Sequence, residues 1–276
     1  MGKASLHPEH RTALENVKTL WRNKDSHDIT CALGAQLKIF SAGYTQGIND
    51  RERELLFEIV DEYVDNPIIV YYCMLALKSN IRQGIDFMAE SVSLGKMCNS
   101  ISSVCLKHRK DIEIVNLMAS IVAELTRDEK AVIPLLQNGF QNTCVDMMKT
   151  AMTQKEVATQ KNMGLMWCSR ILNNMYVWGF RSENFIDVLI DGMKSTSDYW
   201  TFEDIIQTIL NIYQHMTDKE PLHKYLNGIK FETHLCAQLA KYQHYDIEHF
   251  KRSYGETLIA MDLANVKGVS RPNMGP

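Results

Sequence analysis

The segment KYQHYDIEHFKR gathers four metal-ligating side chains, His244, Asp246, Glu248 and His249, within six residues. On a helix, residues five apart point about 140° from one another, so the two imidazoles do not converge on one ion. Cys105 and His108 stand three apart and share a helical face, and His234 with Cys236 forms a second pair. Two ligands do not make a zinc site, so structural or solvent-facing roles are expected for all of them. In RERELLFEIVDEYVD, the carboxylates Glu52, Glu54, Glu58, Asp61, Glu62 and Asp65 surround Leu55, Leu56, Ile59 and Val60. The pattern reads first as one helix with a buried stripe and a hydrated acidic face. Its functional reading is an acidic docking patch for a basic partner segment. Nothing places a general acid and a base in one pocket. The chain lacks a GxxxxGKS/T loop, a GxGxxG turn behind a strand, a GxSxG elbow and an HExxH pair. The expectation is a protein without catalytic residues, cofactor or metal.

Composition is that of a folded protein and excludes general disorder. Of 276 residues, 45% are hydrophobic and 23% charged, with a net charge of −3. That balance suits a packed core and gives no electrostatic reason to expect nucleic acid as a partner. No apolar run reaches the eighteen or so residues needed to span a bilayer. The start, MGKASLHPEHR, lacks a signal-peptide core. Seven scattered cysteines, without a CxxC, read as reduced core thiols of a cytoplasmic protein. Gly2 raises N-myristoylation, but the sixth position holds Leu6 and Ser5 comes one place early. A membrane partner is expected only if Gly2 is acylated, in which case the chain is a lipid-anchored adaptor; the unmodified form is preferred.

The elements around these residues read as helices with short connections from Glu9 to Asn265. Pro67, Pro134 and Pro221 each precede an apolar run, as in the first turn of a helix. No alternating β-branched segment demands a sheet. The fold class is all-α. Six stretches then align without gaps: CALGAQLK from Cys31, CMLALKSN from Cys73, MASIVAEL from Met118, CSRILNNM from Cys168, IQTILNIY from Ile206 and GETLIAMD from Gly255. Their steps, 42, 45, 50, 38 and 49 residues, are the period of an α-solenoid. Between them run Gly47, Gly95, Gly139, Gly179 and Gly228, where a left-handed glycine lets one helix end and the chain turn. In Ala131–Met175 a short helix ends near Gly139, a second carries Cys144, Met147 and Met148, and a third presents Met163, Leu165, Cys168, Ile171, Leu172 and Met175. The fifteen methionines are expected mainly to fill gaps between helices.

This unit resembles an armadillo repeat: glycine, apolar-periodic helix, polar turn, and a further helix with small–x–x–aliphatic–aliphatic spacing. Residues 84–125 and 180–213 resemble it less closely, and HEAT repeats share its period. The resemblance implies a right-handed α-solenoid of about six three-helix repeats over residues 9–265, with an extension at 1–8 and a tail at 266–276. It also implies a concave groove lined by the third helices. The family's groove tryptophan position falls here on Leu33, Leu75, Ser120, Arg170, Thr208 and Thr257, and its asparagine position on Leu37, Ser79, Glu124, Asn174, Ile212 and Met261. Only Asn174 keeps the family residue. An extended peptide needs donors and acceptors along its backbone, which leucine, isoleucine and methionine cannot supply. The expected protein-binding groove is therefore Ser79, Ser120, Glu124, Arg170, Asn174 and Thr208, polar in the middle and suited to a helix or folded protein surface. Aromatic residues cluster at Tyr71/Tyr72, Tyr176/Trp178 and Tyr199/Trp200, with Trp178 and Trp200 as interface anchors. The reading is a protein-binding scaffold within a larger cytoskeletal, ciliary or trafficking assembly.

Overall fold

The computed structural model describes residues 7–25, 29–43, 48–81, 94–154, 157–179, 185–216 and 218–242. The described elements are all helical: α1 (Pro8–Arg22), α2 (Thr30–Ser41), α3 (Asp50–Glu62), α4 (Pro67–Ile81), α5 (Leu94–Lys107), α6 (Ile112–Leu125), α7 (Glu129–Gln137), α8 (Phe140–Thr153), α9 (Ala158–Val177), α10 (Ile186–Ser195), α11 (Tyr199–His215), α12 (Glu220–Gly228) and α13 (Phe231–Lys241). The chain divides into two compact units, residues 1–147 and 148–276.

Helix starts are written by short polar side chains that accept from the otherwise unpaired first-turn N–H groups. Asp111 accepts from the Glu113 and Ile114 amides at 3.0 and 3.2 Å, and Asp198 from Thr201 N at 2.8 Å. Asn66 accepts from Ile68 and Ile69 at 3.1 and 3.2 Å, which opens α4 just before Pro67. Asn49 and Glu52 form a reciprocal capping box on α3. Pro8 and Pro221 sit in first turns as well. Pro134 does not: Asp128 caps α7 and starts it at Glu129, leaving Pro134 inside the helix.

Helices pack on their neighbours in sequence, as α1 on α2 and α3 on α4, and also on the next but one. In the first unit α2 packs on α4 and α4 on α6, while α3 packs on α5 and α5 on α7. In the second, α9 packs on α11, and α10 on both α11 and α13. The recurring stretches from Cys31, Cys73, Met118, Cys168 and Ile206 fall on α2, α4, α6, α9 and α11; the sixth, from Gly255, lies outside the described residues. Each buries its apolar side: Leu33, Leu37 and Phe40 on α2, Cys73, Met74 and Leu77 on α4, Leu165, Cys168, Ile171 and Leu172 on α9. Helix α6 is buried from Ile114 to Ala123, the signature of a helix enclosed by protein on all sides.

Over 129–177 three helices, α7, α8 and α9, follow one another in the chain; elsewhere the described residues give two helices per period. The glycine ladder is likewise partial. Gly139 and Gly179 take positive φ of 68° and 97°, whereas Gly95 and Gly228 lie within helices at negative φ, and Gly47 is outside the described residues. The left-handed position between α12 and α13 belongs to Lys230, φ 56°. Helix α12 runs through Gly228 and the chain turns two residues later.

Candidate protein-binding face

Helices α9 and α11 lie side by side and present matching surface stripes. Met163 and Trp200, Met166 and Glu203, Trp167 and Asp204, Arg170 and Gln207, Asn174 and Asn211, Val177 and Gln214 are all exposed or half-buried. Members of each pair are 37 residues apart. The gapless sequence alignment sets Cys168 against Ile206, a step of 38. One residue is about 100° of helix rotation, enough to carry a side chain from surface to interior.

That slip decides the fate of the expected groove residues. Thr208, aligned with Arg170, turns inward at 1% exposure and lies within hydrogen-bond reach of the Asp204 and Ser169 carbonyls, at 2.8 and 3.2 Å. Gln207 occupies the surface position instead. Ser120, at 2% exposure, donates to the Leu117 carbonyl at 2.7 Å inside the enclosed helix α6. Neither offers a partner anything. Glu124 is half-buried and paired with Arg127 at 2.8 Å. Arg170 and Asn174 share the half-exposed stripe of α9, and the side chain of Ser79 lies outside the described residues.

The α9–α11 face grades from apolar to polar along its length. At the N-terminal end stand Met163, Met166, Trp167 and Trp200, the last 60% exposed. Its neighbour Tyr199 is buried and meets it edge-on with centroids 5.4 Å apart, so the core side chain steadies the surface one. At the centre, Arg170 crosses from α9 to Asp204 with Nε and Nη2 at 2.8 and 2.7 Å, and its guanidinium lies 5.0 Å over the Trp167 ring. Burial pushes the Asp204 carboxyl above the usual carboxylate range, partly offset by the Arg170 hydrogen bond and charge. Towards the C-terminal end, Asn173 accepts from Asn211 at 2.7 Å, and Tyr176 meets His215 edge-on. Trp178, 41% exposed, follows the helix.

The other chemistry-bearing residues are spent on structure or fall outside the described residues. Cys105 is buried and His108 bonds the Val64 carbonyl at 2.7 Å, tying the α5–α6 turn to the α3–α4 turn. His244, Asp246, Glu248, His249 and Gly2 lie outside the described residues. Among the described residues no group of three or more His, Cys, Asp or Glu side chains is placed to hold a metal, and no helix is long and apolar enough to cross a membrane. Cys73, Cys98, Cys105, Cys144 and Cys168 are buried, Cys31 is exposed and Cys236 is intermediate. Sequence reasoning missed Glu52: it is buried rather than part of a hydrated acidic face, and it accepts from Arg11 and Lys18 at 2.7 and 2.8 Å. The asparagine three residues before Glu52 was the legible signal.

No family model, no curated protein and no solved structure matches this chain.

Proposed function

We propose that the chain is a non-enzymatic scaffold, an armadillo/HEAT-like α-solenoid that binds another protein through the α9–α11 face. The observation that carries this reading is the matched stripe itself. Two adjacent helices expose Met163, Met166, Trp167 and Trp200 at one end and ordered polar groups at the other. A helix that served only packing and solubility would not leave a tryptophan 60% exposed beside two half-exposed or exposed methionines. Apolar anchors with a fixed charged centre are what a folded partner or a helix uses, the anchors for affinity and the Arg170–Asp204 pair for register.

The packing of α2 on α4 on α6 and of α3 on α5 on α7, with steps of 38 to 50 residues, supports the solenoid, whose role is commonly to present such a surface. The armadillo resemblance is best at 129–177, where three helices occur in one period, while the paired helices elsewhere fit a HEAT-like unit equally well. The test is affinity capture from native extract with wild type against Trp200→Ala and Arg170→Glu. A specific prey is expected with wild type and is lost with both variants. Equal recovery from all three would remove this face as the binding site.

A further inference from the structure

A second surface lies in the first unit, where side chains of α1 reach across to α3. Arg11 and Lys18 of α1 reach Glu52 near the start of α3, and Trp21 meets Tyr63 at its end, centroids 6.3 Å apart. Side-chain bridges of this kind leave two adjoining depressions, each of about 390 Å³. The upper one is lined by Lys18, Arg22 and Arg51 with Glu52 and Glu54, and it shares Glu58 with the lower one. The lower one is lined by Trp21, Lys24, Glu58, Asp61 and Glu62, three carboxylates and one ammonium around an indole.

The lower depression already holds a cation. The Lys24 ammonium sits 4.2 Å from the Trp21 ring centroid and 3.3 Å from the Glu62 carboxylate. An ammonium over an indole face with a carboxylate beside it is the arrangement that attracts a desolvated cation most strongly. One carboxylate suffices for Lys24. Glu58 and Asp61, three residues apart on the same face of α3, are exposed and have no cationic partner among the described residues. The lower depression thus holds two carboxylates without an ion pair beside the one that Lys24 meets, and it opens to solvent between α1 and α3, where a further helix can lie.

We propose that the Trp21 depression receives a lysine or arginine side chain from a basic helix of a partner protein, with Lys24 holding its place until that partner arrives. Charge complementarity selects the occupant: Glu58 and Asp61 require cations one helical turn apart on the incoming segment, the i, i+3 or i, i+4 spacing of a helix. This surface is separate from the α9–α11 face and does not depend on its reading.

The test uses the full chain and an alanine-rich helical peptide of about 18 residues carrying lysines at i and i+4, with a glutamate counterpart as control, titrated calorimetrically at low and high salt. Saturable, salt-sensitive binding of the lysine peptide is expected. Glu58→Gln/Asp61→Asn should weaken it about tenfold, Trp21→Leu by a similar factor, and Lys24→Ala should tighten it about threefold by removing the internal competitor. Glu58 and Asp61 are exposed, so their double variant keeps the wild-type unfolding transition even where Trp21→Leu does not. Arg170→Glu should leave the peptide affinity unchanged, which separates this site from the α9–α11 face. Absence of binding at about millimolar peptide, equal affinity for the glutamate peptide, or indifference to Glu58→Gln/Asp61→Asn overturns the site. Indifference to Lys24→Ala overturns the placeholder.

Discussion

Arg170 donates from Nε to one carboxylate oxygen of Asp204 at 2.8 Å and brings Nη2 within 2.7 Å of the same oxygen, an ion pair that ties α9 to α11 at the middle of their shared surface. Burial raises the Asp204 pKa; the Arg170 hydrogen bond and charge oppose that rise, and nearby Asp198 adds to it. A carboxyl whose folded pKa lies above its unfolded value binds its proton more tightly in the native state. Its contribution to stability is then fully present below the unfolded pKa and is lost as pH rises through the folded pKa. Asp204→Asn should therefore abolish a step of falling stability just above the ordinary carboxylate range. Arg170→Ala should move that step to higher pH, since it removes what opposes desolvation. Carboxyl-carbon NMR titration of both proteins, with urea unfolding at each pH, reads the two effects.

Glu52 carries more structure than any other carboxylate of α3. Its side chain is 3% exposed, accepts from Arg11 and Lys18, and accepts from the Asn49 amide at 2.8 Å in the capping box. Truncation takes from Arg11 its carboxylate, from Lys18 one of two (Glu15 stays at 2.7 Å), and from the Asn49 N–H its side-chain acceptor. Glu52→Ala should cost about 3 kcal/mol. Glu52→Gln keeps an amide oxygen for Asn49 and should cost about half as much. By contrast Glu54→Ala, on the exposed side of the same helix, should lie within about 0.5 kcal/mol of wild type. Chemical denaturation of the three variants checks the order.

Backbone conformation separates glycines that the sequence makes look alike. Gly139 and Gly179 have positive φ, where an L side chain brings Cβ against the following carbonyl. Gly139→Ala should destabilise by about 1 kcal/mol or more, while Gly228→Ala, at a negative-φ helical position, should be neutral or stabilising. Lys230 holds the left-handed conformation with a side chain attached, and Lys230→Gly should stabilise by about 1 kcal/mol. Thermal unfolding of the three variants decides the matter, and a Gly228→Ala cost equal to that of Gly139→Ala would contradict it.

What the sequence made legible follows from which forces are local. Helical content, the period and the helix starts at Pro67 and Pro221 rest on neighbours along the chain, and so could be read from it. Rotation of each helix about its axis was not, because it is set by the helices on either side. Ser120 reads as polar surface until α6 proves to be enclosed, and Gly228 reads as a turn until α12 extends through it. Glu52 looks like one more acid on a wet face because Arg11 and Lys18, its partners, lie 41 and 34 residues away. A sequence period locates repeats to within a residue or two, and one residue is enough to exchange inside and outside.

The thiols offer a further check on that division. Burial holds Cys73 far above the ordinary thiol range and pushes Cys98 up to about 12, so neither forms thiolate near neutral pH. Cys31 is exposed on α2. Native protein treated with iodoacetamide should therefore be modified first at Cys31, with Cys73 and Cys98 protected until the chain unfolds. Mass spectrometry of timed digests gives the order, and early labelling of Cys73 would mean that α4 opens locally.

The register of α11 yields the sharpest contrast between a residue that holds the fold and one on the proposed binding face. Thr208 is buried against the Ser169 and Asp204 carbonyls, and Gln207, one residue before it, is exposed between Arg170 and the rest of the stripe. Thr208→Val keeps the shape and removes the hydroxyl, leaving the Ser169 carbonyl short of an interhelical donor; it should cost about 1 kcal/mol and leave partner recovery unchanged. Gln207→Glu sets a second carboxylate beside Asp204 on the face itself. It should alter stability by no more than about 0.5 kcal/mol yet reduce recovery of any partner that docks there. If Thr208→Val lost the partner while Gln207→Glu kept it, the surface of α11 would be turned by one residue from where it is placed here.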